Sequence, residues 1–334
     1  MKILVFNDYC VTGNIAMKAN ISVLSQNGHE VFGVPTKIFS SNMSYKDYIS
    51  FCMPNFSELV KKIFEINKVD AIYIDNDEVF VIMKEILHNF KGKVILDPIL
   101  GDNGIKYSGT TAKQISFYRE LLNFADVVTP NLTEAMLLTN YNKNFSEIER
   151  EDVEKIASNL LEMGAKQIII KSFEKNNLLN TLYFSENTIK WFESEKVELK
   201  ICGTGDVFSS LVTSELVKGE KLENSIQKIQ TLLFENIEKQ EKYEGLNEIQ
   251  LENFKIGEEG LSKFVVKSIK TNPNVVYSLR IDYYNAKGNS MNNQFFENEQ
   301  DKIHQHFFMY YTNNGAHNVL VKNREELPYE YTYA

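Results

Sequence analysis

Short apolar runs alternate along this chain with longer stretches of helical period, and that alternation constrains the fold more than any other feature. The runs are Ile3 to Phe6, Val31 to Val34, Ala71 to Ile74, Val94 to Leu96, Val127 to Val128 and Ile168 to Ile170. Each is strand-sized. Between them, Ile15 to Leu24, Phe56 to Ile66, Val79 to Leu87, Ile115 to Phe124 and Val153 to Met163 can each lay an apolar stripe against a sheet. The rhythm is βαβ, which calls for parallel strands with covering helices. Thr181 to Phe184 and Ile189 to Trp191 are separated only by Ser185, Glu186 and Asn187, the spacing of a hairpin, so an antiparallel edge is expected. A turn at Gly203 and Gly205, a helix over Val207 to Val217 and a second helical stretch over Leu222 to Tyr243 follow.

From residue 253 the pattern changes. β-type runs at Val275 to Tyr284 and Phe307 to Thr312 are broken by Asn/Gly clusters, and the aromatic content is too high for a disordered tail. The expected organisation is therefore a main domain over residues 1–252 and a folded, β-rich appendage over residues 253–334. A length of 334 residues accommodates both.

Composition removes several classes of function. The net charge is −9 and no dense Lys/Arg run is present, which argues against a nucleic-acid surface. No apolar stretch approaches the ~18 residues of a membrane span, so no membrane partner is expected. The apolar run after Met1 and Lys2 stops at Asn7, too soon for a signal peptide, and Cys10, Cys52 and Cys202 are too few and too scattered for a disulfide framework. A reducing, cytoplasmic setting is the expectation.

The residues that carry chemistry cluster in Gly-rich turns. Cys202-Gly203-Thr204-Gly205-Asp206 precedes an apolar-periodic helix. Its glycines can turn backbone N–H groups into an anion nest, to which the helix adds its positive end. Asp206, at the mouth of that nest, is the first candidate for a general base; the competing reading makes Thr204 or Asp206 a helix cap. Asn131-Leu132-Thr133-Glu134 follows a strand and the Thr129-Pro130 turn. It reads either as a capping box or as a site where Glu134 organises a hydrated Mg²⁺ on nucleotide phosphates. Asp97, at the head of Asp97-Pro98-Ile99-Leu100-Gly101-Asp102-Asn103-Gly104, is either a turn residue or a second Mg²⁺ or phosphate contact. Lys171, after Ile168 to Ile170, either reaches a phosphate or is a solvated strand-end lysine. Neither G-x-x-x-x-G-K-[ST] nor G-x-G-x-x-G occurs, and His304, His306 and His317 have no convincing co-ligands for a metal.

In this order, these motifs resemble the ribokinase-like superfamily and, within it, the pyridoxal/pyridoxamine (vitamin B6) kinases. The resemblance rests on Asn7 to Gly13, Pro35 to Ser40, Asp97 to Gly104, Thr129 to Ala135 and Gly203 to Asp206, spanning residues 1 to about 252. It implies a ribokinase-like α/β fold, a doubly wound, mainly parallel sheet with helices on both faces. It also implies ATP and Mg²⁺ as cofactors, a small-molecule substrate (a B6 vitamer) phosphorylated on its 5′-hydroxymethyl group, and a homodimer. Carried over by position, Asp206 is the catalytic base and Gly203, Thr204 and Gly205 the anion hole. Asn131 and Glu134 become the metal and phosphate motif, with Asp97 beside them, and Lys171 lies next to the nucleotide. Asp8 and Thr36 fall around the substrate ring.

One departure touches substrate identity. The family's Ser-Gly-Tyr/Phe-Leu-Gly-Ser type loop is replaced here by Ile74-Asp75-Asn76-Asp77-Glu78-Val79-Phe80, whose acidic side chains would repel a phosphate. A hydroxymethylpyrimidine or other small-alcohol kinase, and a non-catalytic ligand-binding protein on a kinase scaffold, are the alternatives.

Overall fold

The computed structural model describes residues 1–41, 47–74, 80–196 and 201–238, with two short strands near the C-terminus. The chain separates into two compact units, Met1–Ile256 and Gly257–Ala334. The first contains, in order, β1 (Lys2–Cys10), α1 (Met17–Gln26), β2 (Glu30–Phe39), β3 (Ser50–Cys52), α2 (Phe56–Ile66), β4 (Ala71–Ile74), α3 (Phe80–Leu87), β5 (Lys93–Leu96), β6 (Gly101–Asp102) and β7 (Ile105–Lys106). It continues with α4 (Ala112–Leu121), β8 (Val127–Val128), α5 (Leu132–Thr139), α6 (Arg150–Glu162), β9 (Gln167–Lys175), β10 (Leu178–Ser185), β11 (Thr188–Glu195), α7 (Thr204–Lys218) and α8 (Leu222–Glu238). In the second unit, β12 (Val319–Lys322) pairs antiparallel with β13 (Pro328–Tyr331).

The main sheet runs β11-β10-β9-β8-β5-β4-β1-β2-β3. From β9 to β2 the neighbours are parallel, while β10 and β11 at one edge and β3 at the other are antiparallel. The short apolar runs form its centre because both of their faces are covered. Leu4, Phe6, Ile72, Ile74, Val94, Leu96, Val128, Ile168 and Ile170 pack into one core with α2 to α6. The alternate residues Ile3, Val5, Ala71, Tyr73, Ile95, Val127 and Ile169 pack into a second core with α1, α7 and α8. A period of two thus distributes one continuous apolar run between two hydrophobic layers.

This is the doubly wound α/β architecture expected, with the hairpin at one edge. Several details differ from the sequence reading. β1 and β2 continue past their apolar runs to Cys10 and Phe39, with a register shift between Asn7 and Tyr9. As a result Asp8 and Thr36 lie within strands. β9 continues to Lys175, so Lys171 is a mid-strand residue, bridged to Asn131 on one side and lying at a register shift of the β10 ladder on the other. β3 went unrecognised because all of its residues are exposed and no apolar pattern marks them. The acidic stretch 75–78, the runs at 275–284 and 307–312, the helical continuation beyond 238 and His304, His306 and His317 lie outside the described residues. Among the described residues, no helix is long and apolar enough to cross a membrane.

Candidate active site

The parallel strands deliver their C-terminal ends to one side of the sheet, where open α/β folds gather ligands. Asn7 and Asp8 arrive on β1, Thr36 on β2, Asp97 just after β5, Thr129 to Asn131 just after β8, and Lys171 on β9. The first turn of α7 comes to the same place. Gly203 is its N-cap in a left-handed conformation, φ 90°, which a residue with a Cβ would resist. The N–H groups of Thr204, Gly205 and Asp206 therefore open the helix without intrahelical acceptors, as the anion-nest reading requires.

Beneath that turn lies a buried polar cluster. Asp97, 4% exposed, accepts hydrogen bonds from Tyr73 Oη at 2.7 Å, Thr129 Oγ1 at 2.8 Å and Lys171 Nζ at 2.8 Å. Lys171 Nζ also donates to Ser209 Oγ of α7 at 3.0 Å, and Thr129 Oγ1 is 3.0 Å from the same hydroxyl. Lys171 is thus not a solvated strand-end lysine. The surrounding carboxylates of Asp97, Glu134 and Asp206 hold its ammonium above its ordinary pKa despite the cost of burial.

Asp206 Oδ2 accepts the backbone N–H of Ala16 at 3.0 Å. Burial, reinforced by the negative charge of Asp97, pushes the Asp206 carboxyl up to about 6, and the bonds from Ala16 and Asn7 together with the Lys171 charge oppose the rise. A carboxyl that titrates near neutrality suits a proton acceptor.

Asn131 and Glu134 form the capping box of α5. Asn131 Oδ1 accepts from Glu134 N at 2.9 Å, and Glu134 Oε2 accepts from Asn131 N at 2.7 Å. Leu100 N donates to Glu134 Oε1 at 3.3 Å, and Asn131 Nδ2 donates to Gly101 O at 2.8 Å, so the pair also fastens the Asp97–Gly104 loop. Burial drives the Glu134 carboxyl well above its usual range. Asp97 accepts three hydrogen bonds and Glu134 two, fewer than the roughly four acceptor positions of a carboxylate, so each keeps capacity for a water molecule around a nucleotide-borne Mg²⁺. Among the described residues no cluster of His, Cys, Asp and Glu could hold a metal ion. Mg²⁺ carried on the phosphates of a nucleotide, as part of the substrate, needs no such cluster.

Asp8 and Thr36 meet across β1 and β2, where Thr36 Oγ1 donates to Asp8 Oδ1 at 2.9 Å. They adjoin the same cluster through Asn7, whose Oδ1 accepts the Asp8 N–H at 2.5 Å. The structure therefore gathers the sequence-derived candidates at one end of the sheet. It adds Tyr73, Ser209 and Ala16, which no local motif marked, and Asn7, the first residue of the Asn7 to Gly13 segment.

Comparison with known proteins gives this geometry a family. The profile described as phosphomethylpyrimidine kinase matches residues 15–249. A bifunctional thiamine biosynthesis protein of Methanocaldococcus jannaschii is 26% identical over 242 residues, 71% of this chain and 53% of its own length. A Staphylococcus aureus hydroxymethylpyrimidine/phosphomethylpyrimidine kinase is 32% identical over 148 residues, 43% of this chain and 52% of its own length. The chain thus spans about half the length of these curated relatives. Among solved structures, Leishmania donovani pyridoxal kinase in complex with ADP and pyridoxamine shares the fold at TM-score 0.64 and 22% identity, covering 73% of this chain and 92% of that one. With its match over residues 15–249, the chain belongs to the phosphomethylpyrimidine kinase family.

Proposed function

We propose that this chain transfers the γ-phosphoryl group of ATP to the hydroxymethyl group of a small heteroaromatic alcohol, with Asp206 as general base. The observation that carries this reading is Asp206 itself, the third residue of α7, with a carboxyl raised to about 6 beside the open N–H groups of the first turn. In the proposed step the Asp206 carboxylate takes the hydroxyl proton as the alcohol oxygen bonds to the γ-phosphorus. The bond to the β,γ-bridging oxygen breaks, and ADP leaves with its electron pair. The N–H groups of Thr204, Gly205 and Asp206 face the charge that spreads over the transferred group, where most catalysis of phosphoryl transfer originates. Mg²⁺ enters with ATP and neutralises its phosphates, while Lys171 and Asp97 keep the floor of the site in place.

Hydroxymethylpyrimidine is the first choice of alcohol, supported by the family and by the 32% identical relative. A B6 vitamer is the second, favoured by the Asp8–Thr36 pair beside Asn7, which offers a carboxylate to a ring hydroxyl or ring N–H. A homodimer through the β3 edge is part of the same reading, supported by Ile49 at 70% and Phe51 at 58% exposure there. Sedimentation of the full chain tests it.

The decisive experiment measures ADP release from ATP and Mg²⁺ with hydroxymethylpyrimidine, pyridoxal, pyridoxine and pyridoxamine in parallel, with Asp206→Asn as control. Turnover that vanishes in the control supports the base and selects the alcohol. Nucleotide binding without turnover on any of the four removes these four alcohols and favours either another small alcohol or the ligand-binding alternative.

A further inference from the structure

The helix that follows β1 carries two features that packing alone does not explain. Ala16, its N-cap, has φ 55° and ψ −132°, a backbone conformation that suits glycine and strains a residue with a Cβ. Its N–H is the group that reaches Asp206 Oδ2, and its carbonyl accepts the first helical bond from Asn20 N at 3.1 Å. The strain is therefore spent on a peptide plane that faces the Asp206 carboxylate.

One turn on, Asn20 is fully buried beside the apolar residues Met17, Ala19, Val23 and Leu24, where a hydrocarbon would pack without any need for partners. Its Nδ2 donates to Ser210 Oγ of α7 at 2.9 Å, and its Oδ1 accepts from Asn7 Nδ2 at 2.7 Å. Asn7, also fully buried, has its Oδ1 engaged by the Asp8 N–H. Flipping either amide would set donor against donor. The orientation of Asn7 is thus dictated from behind, on a side chain that helps hold the Asp206 carboxyl down against the effect of burial.

We infer that Ala16 and Asn20 are positioning residues for Asp206: Ala16 presents a strained N–H to its carboxylate, and Asn20, bonded to Asn7 and to Ser210 one turn after Asp206, fixes the setting of that carboxylate. The inference rests on the reading of Asp206 as the base. The charged and titratable groups around Asp206 are Asp97 from the end of β5 and Lys171 from the middle of β9, together with Cys202 and Tyr107 from the loops before α7 and α4. None of them is altered by the variants below. A role confined to holding α1 against α7 would change stability and leave the Asp206 titration where it is.

The test is a pH titration of the full chain carrying ¹³C-carboxyl aspartate, with the Asp206 resonance assigned by its loss in Asp206→Asn. Asn20→Leu is expected to raise the Asp206 midpoint above its starting value of about 6 by about half a unit or more. Ser210→Ala, which frees Asn20 to rotate, is expected to move it less in the same direction. Ala16→Gly, which frees the peptide plane, should also raise it without lowering the melting temperature. Midpoints that coincide with wild type in the folded variants overturn the inference. If Asn20→Leu does not fold, Ser210→Ala, the loss of one hydroxyl, decides. Because the titration requires no turnover, failure of the kinase reading leaves it intact. Where turnover exists, the acid limb of kcat/KM must move by the same step while KM for ATP holds.

Discussion

Lys171 Nζ lies 2.8 Å from Asp97 Oδ1, with the two side chains only 12% and 5% exposed, and a Cβ added at Gly205 would stand 3.5 Å from that nitrogen. The floor of the nest is thus a buried ion pair that is further hydrogen-bonded by Tyr73, Thr129 and Ser209. Such a pair is costly to break from one side, because the surviving charge stays buried. Lys171→Met should therefore destabilise the protein by about 3–5 kcal/mol in urea unfolding. Adding Asp97→Asn should restore a substantial part of that loss, since it removes the orphaned charge.

Asp206 sits on the other side of this balance. Its folded-state carboxyl is raised from 3.8 to about 6 by burial and by Asp97, so the folded protein binds a proton more tightly there than the unfolded chain does. The contribution to stability is consequently favourable below pH 4 and is lost as pH rises through about 6. Asp206→Asn should melt higher than wild type at pH 8, by about 1–2 kcal/mol, with little difference at pH 4. The same variant should lose activity by about 10²- to 10⁴-fold. In wild type, kcat/KM should fall on the acid side with a midpoint near 6.

Gly205 separates stability from catalysis. The site for its Cβ meets nothing closer than Lys171 Nζ, and alanine favours a helix over glycine by ~1 kcal/mol. Gly205→Ala should keep or raise the melting temperature while lowering kcat by about tenfold or more, since the added methyl crowds the face that receives the phosphoryl group. Gly203→Ala, at φ 90°, should lose stability as well. Thermal melts and steady-state kinetics on the two variants make the comparison.

The parts of the fold that could be read in advance are those where one residue type reports one environment. Ile3 to Phe6 is apolar throughout because its alternate side chains enter different cores, and the same holds at Ala71 to Ile74. Where pairing rather than burial defines a strand, the signal disappears. Ser50 to Cys52 is wholly exposed, and β9 passes through Lys171 and Ser172 although the β10 ladder shifts register there, with Lys171 bridged to Asn131. The site divides in the same way. Gly203 to Asp206 and Asn131 to Glu134 are local motifs and stand out, and the capping box is formed as the bland account of Asn131 and Glu134 expected. Tyr73, Ser209 and Asn20 look like ordinary strand and helix residues, because what makes them matter is a partner far along the chain.

His29 provides an independent readout of how tightly α7 is held. It is 7% exposed, its Nε2 is 2.9 Å from Ser214 Oγ, and burial, with the N-terminal ammonium and Lys218, lowers its pKa to about 4. The unfolded chain therefore binds the proton more tightly, so stability is full above pH 6.5 and is lost as pH falls toward 4. The loss should be on the order of 2 kcal/mol in chemical denaturation. His29→Gln should flatten that limb.

The hydrogen bonds from Ala16 to Asp206 and from Asn20 to Ser210 each join residues 190 positions apart. Synthesis proceeds at about 5–20 residues per second, so β1 and α1 wait on the order of 10–40 s before their partners on α7 emerge. Until then the nascent chain can assemble apolar strands but has no proton acceptor and no nest. On the proposed reading, a product that ends before Gly203 lacks both base and nest and should show no turnover.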